Sequence, residues 1–195
     1  MSSSPSPAVP VLNIANVLTV VRILMVPFFV WFLLLDDGRD GLFRWLAVLV
    51  FVVAIYTDKL DGDLARSRGL ITDFGKIADP IADKLLIGSA LVMLSVLGEL
   101  WWWVTIVILV REIGITILRF AVIRYGVMPA SRGGKLKTVV QTVAILLFLI
   151  PLQAIAGPWA WWPAAAVMAA AVVITVVTGV DYVVQAIRLR AAARS

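Results

Sequence analysis

Neither cysteine nor histidine occurs anywhere in the 195 residues. Without cysteine there is no disulfide, no thiolate metal site and no thiol nucleophile. Without histidine the usual general base and the usual transition-metal ligand are gone. Acid–base chemistry falls to Asp, Glu, Lys or Tyr. Any metal must be held by oxygen, which favours Mg2+, Mn2+ or Ca2+. Charged residues are scarce too, at 15% against 62% hydrophobic ones. A soluble domain of this length requires more polar surface than that, so the lipid bilayer is the expected solvent. The net charge of +5 then reads as basic residues that set topology and meet anionic lipid, not as a nucleic-acid surface.

A bilayer-spanning helix needs about 20 apolar residues. Six segments qualify, at roughly residues 17–35, 42–65, 76–97, 101–125, 138–155 and 161–187. The expected fold class is therefore all-α, a polytopic membrane protein with six transmembrane helices in one domain over residues 13–190. Residues 1–12, rich in Ser and Pro and without a basic stretch, read as a disordered tail and not a cleavable signal peptide; residues 191–195 form a short C-terminal tail. The odd-numbered loops carry Arg39 and Arg44, whereas the even side carries Arg66, Arg68, Lys76, Arg124, Arg132, Lys135 and Lys137, and Arg188, Arg190 and Arg194 follow the last helix. The positive-inside rule puts the even side and both termini in the cytoplasm of a cell (inner) membrane. The Trp runs at 101–103 and 159–162 fit an aromatic belt on the opposite side.

The informative stretch runs from Asp58 to Lys84. Asp58 and Asp61 are three apart on one helical face, with Ala65 a turn further on. Asp79 and Asp83 are four apart on the next helix. The short connection makes the two helices an antiparallel pair, so all four carboxylates can converge near the cytoplasmic surface. Four carboxylates cannot sit ionised together in a low dielectric without a cation, and a divalent ion or a bridged pair compensates them. Gly62 and Gly75 remove side chains beside them and allow close approach; Arg66 offers a fork of donors to phosphate oxygens. The plainer reading, a solvated helix end paired with Lys59, Lys76 and Lys84, explains any single Asp but not the whole pattern. Asp63 and Asp73 read as solvated charges.

The pattern D-x-x-D-G-x-x-A-R-x8-G-x-x-x-D-x-x-x-D, from Asp58 to Asp83, resembles the signature of the CDP-alcohol phosphotransferases, without a departure. The family's six-helix plan covers nearly the whole chain. The resemblance implies transfer of a phosphatidyl or phospho group from a CDP-activated donor to an acceptor hydroxyl, with release of CMP. It further implies that Asp58, Asp61, Asp79 and Asp83 hold two divalent ions, Mg2+ or Mn2+, and that Asp83 is the candidate general base. Asp61, Gly62, Ala65, Arg66 and Gly75 would line the nucleotide site, and the chain would be a homodimer.

A second, basic constellation bears on the acceptor. Arg111 and Arg119 are eight residues apart, about two turns on one face of an apolar helix. Charges there are costly and face polar cavities. With Lys135 they could cage a second phosphate; Arg132 and Lys137 read equally well as ordinary positive-inside residues, and Arg111 with Glu112 as a structural pair. Within the family, Asn13-x-x-Asn16-x-Leu18-Thr19-x-x-Arg22, Asp79-Pro80-Ile81-Ala82-Asp83-Lys84, Arg111-Glu112-Ile113 and Gly134-Lys135-Leu136-Lys137-Thr138 are similar to members that act on CDP-diacylglycerol and sn-glycerol 3-phosphate. Ala15 departs from the Pro common there. Inositol phosphate or phosphatidylglycerol as acceptor, and a cation transporter built on membrane carboxylates, are the competing readings. Asn13, Asn16 and Thr19 read chiefly as helix caps. Arg22 either snorkels to the interface or reaches the site. Asp181 is a functional polar residue or a partner for a basic side chain.

Overall fold

The computed structural model describes residues 13–68, 70, 72–122 and 132–192. The side chains of Ala65, Arg66, Arg68, Lys76, Arg132 and Lys135 lie outside that description. Among the described residues all regular structure is helical: α1 (Ile14–Asp36), α2 (Leu42–Arg68), α3 (Asp73–Val96), α4 (Trp102–Val122), α5 (Arg132–Leu149), α6 (Leu152–Ala156), a 3-10 turn (Pro158–Ala160) and α7 (Trp161–Ala192). The all-α expectation holds.

Two of these stretches, Ile14–Asp36 and Pro158–Ala191, are long and apolar enough to cross a membrane. α2, α3 and α4 are also long, but each carries a knot of charge: Asp58, Lys59 and Asp61; Asp79, Asp83 and Lys84; Arg111, Glu112 and Arg119. The residues that spoil their apolar character are those the sequence marks for chemistry. In place of a fifth span running through residue 155, α5 stops at Leu149 and a five-residue α6 follows Pro151. Proline has no N–H to give and its ring collides with the carbonyl four residues back, which ends the helix.

The chain divides into two compact units, one containing Gly41–Ser89 and the chain up to Asp37, the other Gly38–Asp40 and the chain from Ala90 onward. In the first, α1 packs on α2 through Val26, Phe29 and Leu33 against Ala47, Val48, Phe51 and Ala54, all buried. The rings of Phe29 and Phe51 lie 5.7 Å apart. Asp36, buried at the end of α1, accepts hydrogen bonds from the backbone N–H of Gly41 (2.9 Å) and of Arg44 (3.1 Å), and so caps the start of α2.

The buried face of α1 is divided. Its second half is apolar as far as Leu33 and ends on Asp36, whereas its first half presents Asn16, Thr19 and Arg22 inward. The outward face carries Val17, Val20, Val21, Leu24, Phe28 and Trp31. A helix in water turns its polar side out; α1 turns it in, the arrangement that an apolar solvent favours.

In the second unit α7 packs against α4 and α5. Leu91, Leu94, Val104, Ile108, Ala144, Ile145, Leu149, Met168 and Ala171 are buried there. Thr105 donates to the Leu91 carbonyl (3.1 Å) and shares a 2.7 Å hydrogen bond with Ser95. The Trp101 and Trp161 rings meet edge to face at 5.6 Å. The starts of α4 and α7, where the exposed indoles cluster, are therefore side by side.

Candidate active site

In the first unit, α1 inserts its polar half among the ends of α2 and α3. Asn13 caps α1, accepting from the Asn16 N–H (3.0 Å), and its amide reaches the Leu70 carbonyl at 3.4 Å. Asn16 donates to the Thr72 hydroxyl (2.8 Å) and accepts from it (3.0 Å). Thr72 in turn caps α3 by accepting from the Gly75 N–H at 3.0 Å. Thr19 donates to Asp79 at 2.6 Å. Arg22 spreads its fork, Nη1 to Asp58 and Nη2 to Asp61. Capping alone thus accounts for Asn13 but not for Asn16 or Thr19, and Arg22 reaches the site.

Each step along α1 turns the next residue by about 100°, so Asn16 and Arg22 are roughly 120° apart around the axis. That separation lets one helix address α3 with Asn16 and Thr19, and α2 with Arg22. Asp58 and Asp61 share a face, since one guanidinium satisfies both. Arg22 is 1% exposed and Asp61 3% exposed, whereas the side chain of Asp58 is 48% exposed. Asp79 and Asp83 lie one turn apart on α3, each partly buried. Gly75 is tight against α1: a Cβ there would lie 2.9 Å from the Asn16 Oδ1 and 3.9 Å from an oxygen of Asp79. Gly62 sits beside Asp61 on α2, half-buried. The implied nucleotide contacts of Ala65 and Arg66 fall on side chains outside the described residues.

Among the described residues, no three acidic side chains are gathered closely enough to enclose a metal ion. The donor set nevertheless fits one. It is all oxygen and strongly anionic, and two of its members already converge on a single positive group, Arg22. Hard divalent cations take such donors.

In the second unit Arg111 and Arg119 share a face of α4 and meet the same side chain of α7, Tyr182. Their guanidinium carbons lie 5.6 and 5.0 Å from its ring centre. Arg119 donates to the Tyr182 hydroxyl at 2.9 Å and Arg111 to the Thr178 hydroxyl at 3.0 Å. A Cβ at Gly179 would lie 3.2 Å from Arg111 Cγ, so the glycine gives the arginine stem its place. The Nε of Arg111 is buried with no hydrogen-bond partner. Glu112 receives Arg111 Nη1 at 3.3 Å and the ammonium of Lys137. Residues 132–137, expected to precede the fifth span, open α5 instead, which brings Lys137, buried at 4% exposure, to Glu112. Lys135 lies outside the described residues. Two like charges thus share one phenol ring, and one of their donors is unspent.

The comparisons decide the family. The description CDP-alcohol phosphatidyltransferase matches residues 12–180. The chain belongs to that family.

Its relatives within the family include a probable phosphatidylglycerophosphate synthase of Mycobacterium tuberculosis (strain H37Rv), 56% identical over 176 residues, which are 90% of this chain and 82% of the relative. A CDP-diacylglycerol–glycerol-3-phosphate 3-phosphatidyltransferase of Bacillus subtilis (strain 168) is 34% identical, with 87% of this chain and 93% of the relative covered. A protein of the same name from Rickettsia typhi is 36% identical over 87% of this chain and 94% of its own length. As a CDP-alcohol phosphatidyltransferase, the chain is a transferase of phospholipid synthesis.

Sequence reasoning missed Thr72, Thr178, Gly179 and Tyr182, and left Lys137 undecided. A signal for three of them was present: Thr178, Gly179 and Tyr182, with Asp181, follow the long apolar run of α7 within little more than one turn. Asp181, which also stood out, is exposed and accepts from Gln185 along α7 at 2.7 Å.

Proposed function

We propose that this transferase moves the phosphatidyl group of CDP-diacylglycerol to sn-glycerol 3-phosphate, giving phosphatidylglycerophosphate and CMP, on the route to phosphatidylglycerol and cardiolipin. The observation that carries the acceptor is the pair Arg111 and Arg119 on Tyr182, with Arg111 Nε unspent. A neutral or lipid alcohol has no use for two guanidinium groups, one partly buried and one exposed, gathered on one ring; a phosphomonoester does. The printed names of the relatives point the same way.

In this reading Asp58, Asp61, Asp79 and Asp83 bind the divalent ions, Mg2+ or Mn2+, two of them by the family pattern. When bound, the metal supplies the positive charge that the diphosphate and the departing CMP require. The oxygen of the acceptor hydroxyl attacks the phosphatidyl phosphorus, the bond from that phosphorus to the CMP oxygen breaks, and Asp83 takes the hydroxyl proton. Gly62, Ala65, Arg66 and Gly75 line the nucleotide site, and Arg111, Arg119 and Lys135 hold the acceptor phosphate. Residues 13–190 form one catalytic membrane domain of six spans, with the active site and both termini cytoplasmic, and two chains make a homodimer. The inward polar face of α1 and the basic residues of the even loops support that placement.

The test is CMP release by the purified protein in detergent, given CDP-diacylglycerol, with Mg2+ or EDTA and with or without sn-glycerol 3-phosphate. Release is expected only when metal and sn-glycerol 3-phosphate are both present. Release with inositol phosphate or phosphatidylglycerol instead keeps the family and replaces the acceptor. Ion flux in liposomes with no CMP release under any condition refutes the enzymatic reading.

A further inference from the structure

Arg22 is the least expected charge in the molecule. It lies in the first half of an apolar helix, is 1% exposed, and spends its two terminal nitrogens on two different aspartates while its Nε is left buried without a partner. Burying a guanidinium this deeply is costly unless it offsets something costlier. What it offsets is plain. Asp61 is 3% exposed and lies beside Asp58, and two carboxylates so placed need a positive charge between them. Removing Arg22 would leave Asp61 buried and uncompensated. A divalent ion would serve the same carboxylates with twice the charge and no side-chain entropy to lose. The two cations would stand within a few ångströms of one another if both stayed, and like charges at that range in a low dielectric repel strongly.

We propose that Arg22 is an internal counter-cation that occupies the acidic site when metal is absent and competes with the divalent ion for Asp58 and Asp61. This rests on the metal-binding reading given above and deepens it. Loading the site then means exchange: the guanidinium lets go of at least one carboxylate as the ion arrives. The exchange has two consequences. The metal-free protein keeps an ordered site, unlike domains that unfold without their metal. The apparent affinity for metal is lowered by the fraction of molecules in which Arg22 holds the carboxylates. Thr19, one turn earlier on α1, holds Asp79 by a hydroxyl and not by a charge, so α1 braces the α3 carboxylate without competing for it.

The experiment is Mn2+ titration of detergent-solubilised protein, reading free Mn2+ by electron paramagnetic resonance, together with thermal unfolding in EDTA and in saturating Mn2+. It compares the wild type with Arg22→Met and Arg22→Lys. For Arg22→Met we expect Mn2+ affinity to rise at least about tenfold. We also expect its melting temperature to fall below the wild type in EDTA, and most of that deficit to vanish in Mn2+. Arg22→Lys has one ammonium and cannot span both carboxylates as a fork, so its Mn2+ affinity should fall between the other two. It supplies the comparison if Arg22→Met does not fold. Equal or weaker Mn2+ binding in the variants overturns the proposal, since Arg22 would then cooperate with the metal. A melting deficit of the same size in EDTA and in Mn2+ also overturns it, because a purely structural role predicts that. Wild-type protein that binds no Mn2+ removes the metal reading itself, and the proposal with it.

Discussion

Replacing Gly75 by alanine should destabilise the protein, although alanine is the better helix former. Gly75 is the third residue of α3, and a Cβ there would lie 2.9 Å from the Asn16 Oδ1. Comfortable carbon–oxygen contact requires roughly 0.5 Å more. Asn16 cannot retreat cheaply: it is 5% exposed and exchanges two hydrogen bonds with Thr72, which also caps the Gly75 N–H. A retreat breaks at least one of these bonds and leaves a buried polar atom short, a loss of about 2–3 kcal/mol. Alanine returns about 1 kcal/mol in helix propensity. The net cost is about 1–2 kcal/mol, or roughly 2–8 °C in unfolding midpoint. In an Asn16→Ala background the clash is gone, so the same substitution should stabilise by up to about 1 kcal/mol. Thermal unfolding of the four proteins in detergent with EDTA closes the cycle, with a coupling of about 2 kcal/mol between the two positions. If Gly75→Ala stabilises both backgrounds equally, the close approach of α1 to α3 is not what this glycine serves.

Asp61→Asn preserves shape and removes charge; CMP release should fall at least about a hundredfold with the protein still folded, and substantial remaining turnover would remove Asp61 from the metal-binding set. Arg119→Gln should raise the KM for sn-glycerol 3-phosphate about tenfold or more and leave that for CDP-diacylglycerol unchanged. An unchanged acceptor KM would instead assign the acceptor to an uncharged or lipid alcohol. Glu112→Gln takes the carboxylate from Lys137, which is 4% exposed. With Glu112 itself partly in contact with solvent, the cost should be about 2 kcal/mol, read by thermal unfolding and largely recovered when Lys137 is changed to Met as well.

What could be read in advance were features carried by one helix at a time. The three-residue spacing of Asp58 and Asp61 put them on one face, and one guanidinium joins them. The eight-residue spacing of Arg111 and Arg119 put them on another, and one phenol ring meets both. Contacts between distant segments were not legible. Asn16 and Thr72 are 56 residues apart, and Arg22 and Asp61 39 apart; no periodicity within either segment names the other. Tyr182 was hidden for the same reason, its partner lying 63 residues earlier. Helix ends were misjudged where a local rule outweighed the apolar run. Pro151 halted α5 inside what looked like a continuous span, and the Thr72 hydroxyl started α3 ahead of its apolar stretch.

The cap that Asp36 places on α2 has a bearing on how the chain is assembled. α1 is made before its partners and carries Arg22 within its apolar length. On its own, that charge raises the cost of membrane insertion by about 3 kcal/mol. The carboxylates that neutralise it arrive only with the far end of α2. Asp36 ties the two helices at the turn between them, and the tilted rings of Phe29 and Phe51 meet along the way. The two helices thus form a hairpin in which the arginine of one arm is matched to the aspartates of the other.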